Sequence, residues 1–244
     1  MSEGSIQNVL ETDADALLPG ISVDCVIFGF HNGTLMVLLN KFSSFHKWTL
    51  PGGFVLKEEN VEEAAHRILE KRTGLKNLYL HQFYTFGDVS RTGSDIEFPT
   101  GHWLIQRFVS IGYYAFVEYS KVRIYTSSEE DLEWFAINKV PQLYADHNSI
   151  IEKAIAGIRK QINIVPIGYN LLPEKFTLTE LRLIYEAILG KELDRRNFQR
   201  KILSTGLINR LDEVQKKIGL KPTTMFAFNK EKYREALKNG TPLF

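Results

Sequence analysis

Two short stretches of this 244-residue chain hold side chains whose types and spacing could do chemistry. The first is residues 51–75. It opens on Gly52 and Gly53, passes through the acids Glu58, Glu59, Glu62 and Glu63, and closes on Ile68, Leu69, Glu70, Lys71, Arg72, Thr73 and Gly74. Carboxylates at i, i+3 and i+4 of a helix share one surface patch. Several carboxylate oxygens at close range are what Mg²⁺ or Mn²⁺ needs to be held against a diphosphate. Here that patch is Ile68, Lys71 and Arg72. Two cations repel a dication, and Ile68 offers no ligand. Glu70 lies about 100° round the helix from each neighbour, off the patch. The stretch therefore has the layout of a metal-binding helix without the ligands, and no catalytic residue, metal or cofactor is expected there. Lys71 and Arg72 either hold an anionic ligand or serve the negative C-terminal end of the helix.

The second stretch is residues 194–202. Phe198 and Ile202 form an apolar i, i+4 pair. Arg196, Asn197 and Arg200 fall on the opposite side of the same helix. Arginine reads guanine and asparagine reads adenine in the major groove. Arg195 and Lys201 flank them and suit phosphates. Lys216 and Lys217 stand in a basic connection a little further on.

These residues need elements to position them. Residues 21–30 are rich in β-branched and aromatic side chains and read as a strand. Asn32-Gly33 is a hairpin turn, and residues 35–41 return. A helix over about 60–73 has Asn60 as N-cap and Gly74 as its stop, with Val61, Ala64, Ala65 and Ile68 on its buried stripe. Strands follow over 78–86, 103–119 and 131–137. Between the first two lies a long loop, 87–101, with Arg91, Asp95 and Glu97, and His102 just after it; a loop of that length in a compact domain points to function or disorder. A helix over about 149–161 buries Ile151, Ala154, Ile155 and Ile158, and His147 before it reads as a cap or packed histidine. Residues 162–173, with two prolines, form a join. Thr177 and Glu180 then make a capping box. Gly190 ends that helix, and Asp194 caps the next, about 195–204. Residues 206–211 and 224–228 read as two strands. Helix, turn, helix and basic hairpin make a winged helix-turn-helix outline.

Formal net charge is +1, so no global pull toward nucleic acid or membrane is implied. A single cysteine, Cys25, allows no internal disulfide, which suits a reducing cytoplasm. No apolar run reaches the ~20 residues of a membrane span, and the acidic N-terminus lacks a signal-peptide layout.

The frame of residues 51–75 resembles the Nudix box. Gly53, Glu59, Arg67, Leu69, Gly74 and Leu75 stand at its offsets, while Ile68, Lys71 and Arg72 replace three of its glutamates. Joined to a winged helix, the chain is similar to the Nudix-related transcriptional regulators, most visibly in residues 166–176 and 194–198. The resemblance implies an α+β protein in three parts: a tail (1–20), a Nudix-like α/β/α sandwich that senses an effector (21–163), and a winged helix-turn-helix that binds operator DNA (164–238). It also implies a homodimer. The effector would be a pentose such as arabinose or an ADP-ribose-like nucleotide, and the overall look of the chain leans toward the sugar-sensing branch. Trp48, Phe54, Glu59, Arg67, Lys71, Arg72, Phe86 and Arg91 are the candidate effector contacts, since aromatics stack on bases or sugars and arginines hold phosphates. Two rivals stay open: an active nucleoside-diphosphate hydrolase using Glu58, Glu59, Glu62 or Glu63 for metal, and an adaptor whose winged helix binds protein.

Overall fold

A computed structural model of the chain describes residues 16–43, 46–76, 78–91, 107–127, 130–162, 167–215 and 222–239. The expectations for residues 1–15, for 92–106 including Asp95, Glu97 and His102, for 163–166, and for Lys216 and Lys217 lie outside the described residues. The architecture is α+β. By compactness the chain splits into two units, 1–29 with 36–155, and 30–35 with 156–244.

The first unit is built on one mixed sheet. Its strands are β1 (Leu17–His31), β2 (Thr34–Phe42), β3 (Gly52–Leu56), β4 (His81–Phe86), β5 (Val109–Phe116), β6 (Tyr125–Thr126) and β7 (Glu130–Ala136). They lie in the order β4-β5-β1-β2-β7-β6, with β3 also paired to β1. The Asn32-Gly33 turn joins β1 to β2, and both residues have positive φ (47° and 78°), as a type I′ turn requires. β1 starts four residues earlier than the sequence suggests, because Leu17 pairs with Leu56 of β3 and is buried. β5 runs parallel to β1, matching Ile21–Phe28 to Val109–Phe116.

Side chains alternate across a strand, so β1 divides its residues between two layers. Val23, Cys25 and Ile27 join a core cluster with Ala64, Ala65, Ile68 and Leu69 of helix α1 (Val61–Thr73). Burying Ile68 and Leu69 contributes about 1.5–3 kcal/mol each. Asn60 and Glu63 cap α1 reciprocally, and Gly74 ends it at φ 71°. On the opposite face Asp24 meets His147, the first residue of α2 (His147–Gln161). The sheet is thus the middle layer of an α/β/α sandwich.

The second unit holds α3 (Leu178–Leu189), α4 (Arg195–Ser204), the hairpin β8 (Ile208–Gln215) with β9 (Thr223–Phe228), and α5 (Lys230–Asn239). Thr177 and Glu180 cap α3, Gly190 closes it at φ 70°, and Asp194 accepts from the Asn197 amide to start α4. Leu181, Ile184, Tyr185 and Ile188 of α3 are buried, with Phe198 and Ile202 of α4. Tyr185 meets Phe198 edge-on at 5.4 Å, fixing the crossing of the two helices. Phe176 ties the hairpin down by two backbone hydrogen bonds with Phe226, of 2.9 and 2.7 Å. The sequence reading did not foresee α5, whose Tyr233 stacks on Tyr169 at 4.1 Å.

Candidate functional site

In the second unit the α3–α4 corner presents one face of α4. The turn between the helices is held from within. Glu186 accepts from the Leu193 amide at 2.7 Å and from Arg182, and Arg159 Nε donates to the Ile188 carbonyl at 2.6 Å. That fixed corner leaves Arg195, Arg196, Asn197, Arg200 and Lys201 exposed, opposite buried Phe198 and Ile202. Among the described residues no carboxylate forms an ion pair with Arg195, Arg196 or Arg200. Between α3, α4 and the hairpin lies a groove of about 600 Å³, lined in part by Arg195, Gln199, Arg210, Thr223 and Thr224. Arg210 and the two threonines are not among the DNA contacts expected from the sequence. Cations and hydroxyls in one groove suit a phosphodiester backbone.

The first unit spends its charged side chains differently. Arg67 donates from Nε to Glu59 Oε2 at 2.8 Å, from Nη2 to Oε1 at 2.5 Å, and from Nη2 to the Phe54 carbonyl at 3.0 Å. Glu59 also accepts from the Leu56 amide at 2.9 Å. The hydrogen bond from Arg67 holds the Glu59 carboxyl below the usual carboxylate range. This pair ties the box turn to α1.

The three substituted box positions have three fates. Ile68 is buried and sits under Gly53, where a Cβ would stand 3.1 Å from its Cδ1. Lys71 is exposed. Arg72 pairs with Glu130 of β7 and lies 5.0 Å over the Phe42 ring. Glu130 also accepts from Asn40 Nδ2 at 3.0 Å and from the Tyr125 hydroxyl at 3.2 Å. A divalent cation would have to displace Arg72 from Glu130 and Arg67 from Glu59. Among the described residues no group of three or more His, Cys, Asp or Glu is placed to hold a metal ion. The donor set here does not fit the Mg²⁺ or Mn²⁺ of a Nudix hydrolase.

Arg91 was expected in a ligand cleft. Instead it is buried, with its side chain 5 % exposed. It donates to Asp146 twice, at 3.1 and 3.0 Å, to Asp24 Oδ2 at 3.3 Å and to the Phe108 carbonyl at 3.3 Å. Ser110 Oγ donates to Asp24 Oδ2 at 2.6 Å. His147 takes the Leu50 amide on Nδ1 at 2.9 Å and faces Asp24 Oδ1 with Nε2 at 3.6 Å. Burial depresses the His147 pKa and outweighs the pull of the two aspartates. Nδ1 accepts from the Leu50 amide and so carries no proton, which places the ring proton on Nε2, facing Asp24. Gly52 must be glycine beside this cluster, since a Cβ would come within 2.5 Å of Asp24 Oδ1.

The remaining sequence candidates lie as follows. Trp48 packs on Phe135 at 4.8 Å, and Phe86 is buried beside Tyr84 at 5.0 Å. Phe54 is half-buried and meets Phe108 at 4.8 Å. Strand register pairs Ser22 with both Phe54 and Ser110, and Ser110 with Phe86. That puts Phe54 and Phe86 on the Asp24 face of the sheet, above the Arg91 cluster. The sequence reading missed Phe108, whose value is visible only once β5 is known to lie beside β1.

A capped helix pair with a basic outer face and a hairpin wing, joined to a sandwich bearing a Nudix box, defines a Nudix-related DNA-binding protein. The comparisons with known proteins agree. The NUDIX domain model matches residues 18–155, and the NrtR DNA-binding winged helix domain model matches residues 168–228. The ADPR responsive transcriptional repressor NtrR of Acinetobacter baylyi is 30 % identical over 222 residues, covering 88 % of this chain and 84 % of that one. Shewanella oneidensis NrtR, crystallised with a 27mer DNA, is 26 % identical with a TM-score of 0.73, over 88 % of this chain and 95 % of that one. A MutT/nudix family protein from Enterococcus faecalis shares the fold at TM-score 0.66 and 21 % identity, over 94 % and 99 % of the two chains. The chain belongs to the NrtR family of Nudix-related regulators.

Proposed function

We propose that this protein is a transcriptional repressor that binds operator DNA through α4 and answers to ADP-ribose bound by its Nudix domain without hydrolysing it. The observation that carries the reading is the face of α4: Arg196, Asn197 and Arg200 exposed on a corner whose other side is locked by Phe198 and Ile202. Arg195 and Arg210 line the groove beside it and take phosphates. Repression and ADP-ribose come from the named activity of the A. baylyi relative. The pentose that the sequence resemblance favoured has no counterpart among these relatives. Phe54 and Phe108 supply an aromatic wall for an adenine or ribose face, and exposed Lys71 a cation near the box. Arg91 acts behind that wall, and Glu59 acts through Arg67 on the Phe54 carbonyl, as positioning residues.

In this proposal residues 21–163 form the sensor and 164–238 the reader, in a cytoplasmic homodimer. The dimer sets two copies of α4 in successive major grooves, roughly 34 Å apart along the duplex. The effector acts only through its different affinity for the two domain arrangements. A mobility shift on DNA upstream of the protein's own gene and its neighbours tests the reading. The expected result is a specific shift whose midpoint moves with ADP-ribose and not with arabinose. A shift indifferent to ADP-ribose and moved by a pentose would overturn the effector, and no specific shift would overturn the regulator.

A further inference from the structure

One contact on α4 changes how its face should read a sequence. Arg200 Nη2 donates to Asn197 Oδ1 at 2.9 Å. The two residues are i and i+3, so they stand on neighbouring turns of the same face. Asp194 accepts from the Asn197 amide at 2.8 Å and fixes the first turn, which sets the Asn197 Cα and Cβ. Both side chains are exposed, and both line a groove of about 620 Å³ with Asp194, Lys191 and Lys201. A bidentate adenine contact needs both ends of an asparagine amide: the oxygen for N6–H and the nitrogen for N7. Here the oxygen is aimed at Arg200. The same contact leaves Arg200 its second Nη2 hydrogen, both Nη1 hydrogens and the Nε hydrogen. That is enough for a forked pair of bonds to guanine O6 and N7.

We propose that Asn197 is a positioning residue for Arg200, and that the two together read a single guanine instead of a guanine and an adenine. The inference rests on the DNA-binding reading above and deepens it. In water a contact between two exposed side chains contributes little. Against a base pair that excludes water it gains strength, and holding the guanidinium in its bound orientation lowers the ordering cost of binding. Asn197 therefore acts on the base through Arg200.

The test is selection of binding sites from a randomised operator library by the full-length protein and by four variants: Asn197→Ala, Arg200→Ala, the two combined, and Asn197→Asp. The wild-type protein gives the reference preference at each position. In the expected result Asn197→Ala and Arg200→Ala relax preference at the same guanine, by about 5- to 150-fold for a bidentate pair. The double variant is then no worse there than Arg200→Ala alone, because the two residues act as a unit. Asn197→Asp keeps an acceptor for Arg200 and loses the amide donor. It should keep the guanine preference, with weaker overall affinity from the added negative charge. If Asn197→Ala instead relaxes a separate adenine position, or the single effects multiply, the proposal is wrong while the DNA-binding reading stands. If the wild-type protein selects no sequence, both are wrong. Neither residue is buried, so loss of folding does not confound the outcome.

Discussion

Helix α4 and the Nudix domain use arginine in opposite ways. On α4, Arg195, Arg196 and Arg200 face solvent, and no described carboxylate pairs with them. In the Nudix domain Arg67 is spent on Glu59, Arg72 on Glu130, and Arg91 on Asp24 and Asp146. The difference lies in what surrounds each cation, and it teaches where charge is available for a ligand. An unpaired guanidinium in water can trade its hydration for a phosphate or a guanine. Arg72 and Arg91, buried and paired, cannot leave their carboxylates without leaving that charge uncompensated, while the more exposed Arg67 is held by its paired bonds to Glu59. The degenerate box follows the same logic. At the box positions where a hydrolase carries glutamates, this chain has Ile68, Lys71 and Arg72, and Arg72 pairs with Glu130.

Several replacements would break or sharpen that contrast. The largest effect is expected at Arg91. Arg91→Ala leaves Asp24 and Asp146 without their partner in the interior, and should cost about 3–5 kcal/mol of stability by urea unfolding. Stability close to wild type would mean that Arg91 is a surface ligand contact after all. Next come the reader arginines. Arg196→Ala should weaken operator binding by about 1–3 kcal/mol in a fluorescence titration, while its unfolding midpoint stays within about 0.5 kcal/mol of wild type. A large loss of stability there would place Arg196 among the structural cations. Smaller again is the α3 cap: Thr177→Ala should cost about 1 kcal/mol, and DNA affinity should fall only as far as the folded fraction falls.

The smallest effect is in pH dependence. His147 has a depressed pKa in the folded protein, so below its unfolded value of about 6.5 the unfolded chain binds the extra proton. Its contribution is fully present above that pH and is lost as pH falls from there toward the folded pKa. His81, also depressed by burial, acts with the same sign. Unfolding curves from pH 7.5 to 5 should therefore slope downward toward acid. His147→Gln, which keeps an acceptor for the Leu50 amide, should flatten part of that slope. An unchanged slope would show that His147 titrates normally.

What the sequence made legible was local. The Asn32-Gly33 turn, the caps at Asn60, Thr177 and Asp194, and the bounds of α4 each depend on residues within a few positions, and the structure has them where they were expected. The fate of Arg91 was not legible, because its partners Asp24 and Asp146 lie 67 and 55 residues away. The Arg72–Glu130 pair spans 58 residues. Phe108 gains its place beside Phe54 only through the pairing of β1 with both β3 and β5. α5 did leave a signal: Tyr233 and Ala236 sit at helical spacing and are both buried.

In the proposed function the Nudix domain binds its effector without a metal, on side chains and backbone of its own. The most direct test measures the affinity of the full-length protein for its operator as ADP-ribose is added, once with Mg²⁺ and once with a chelator, while the ADP-ribose is followed by chromatography. The expected result is the same effector-dependent change in both, with the ADP-ribose intact. A change that requires Mg²⁺, accompanied by cleavage of the diphosphate, would contradict it and return the box to catalysis.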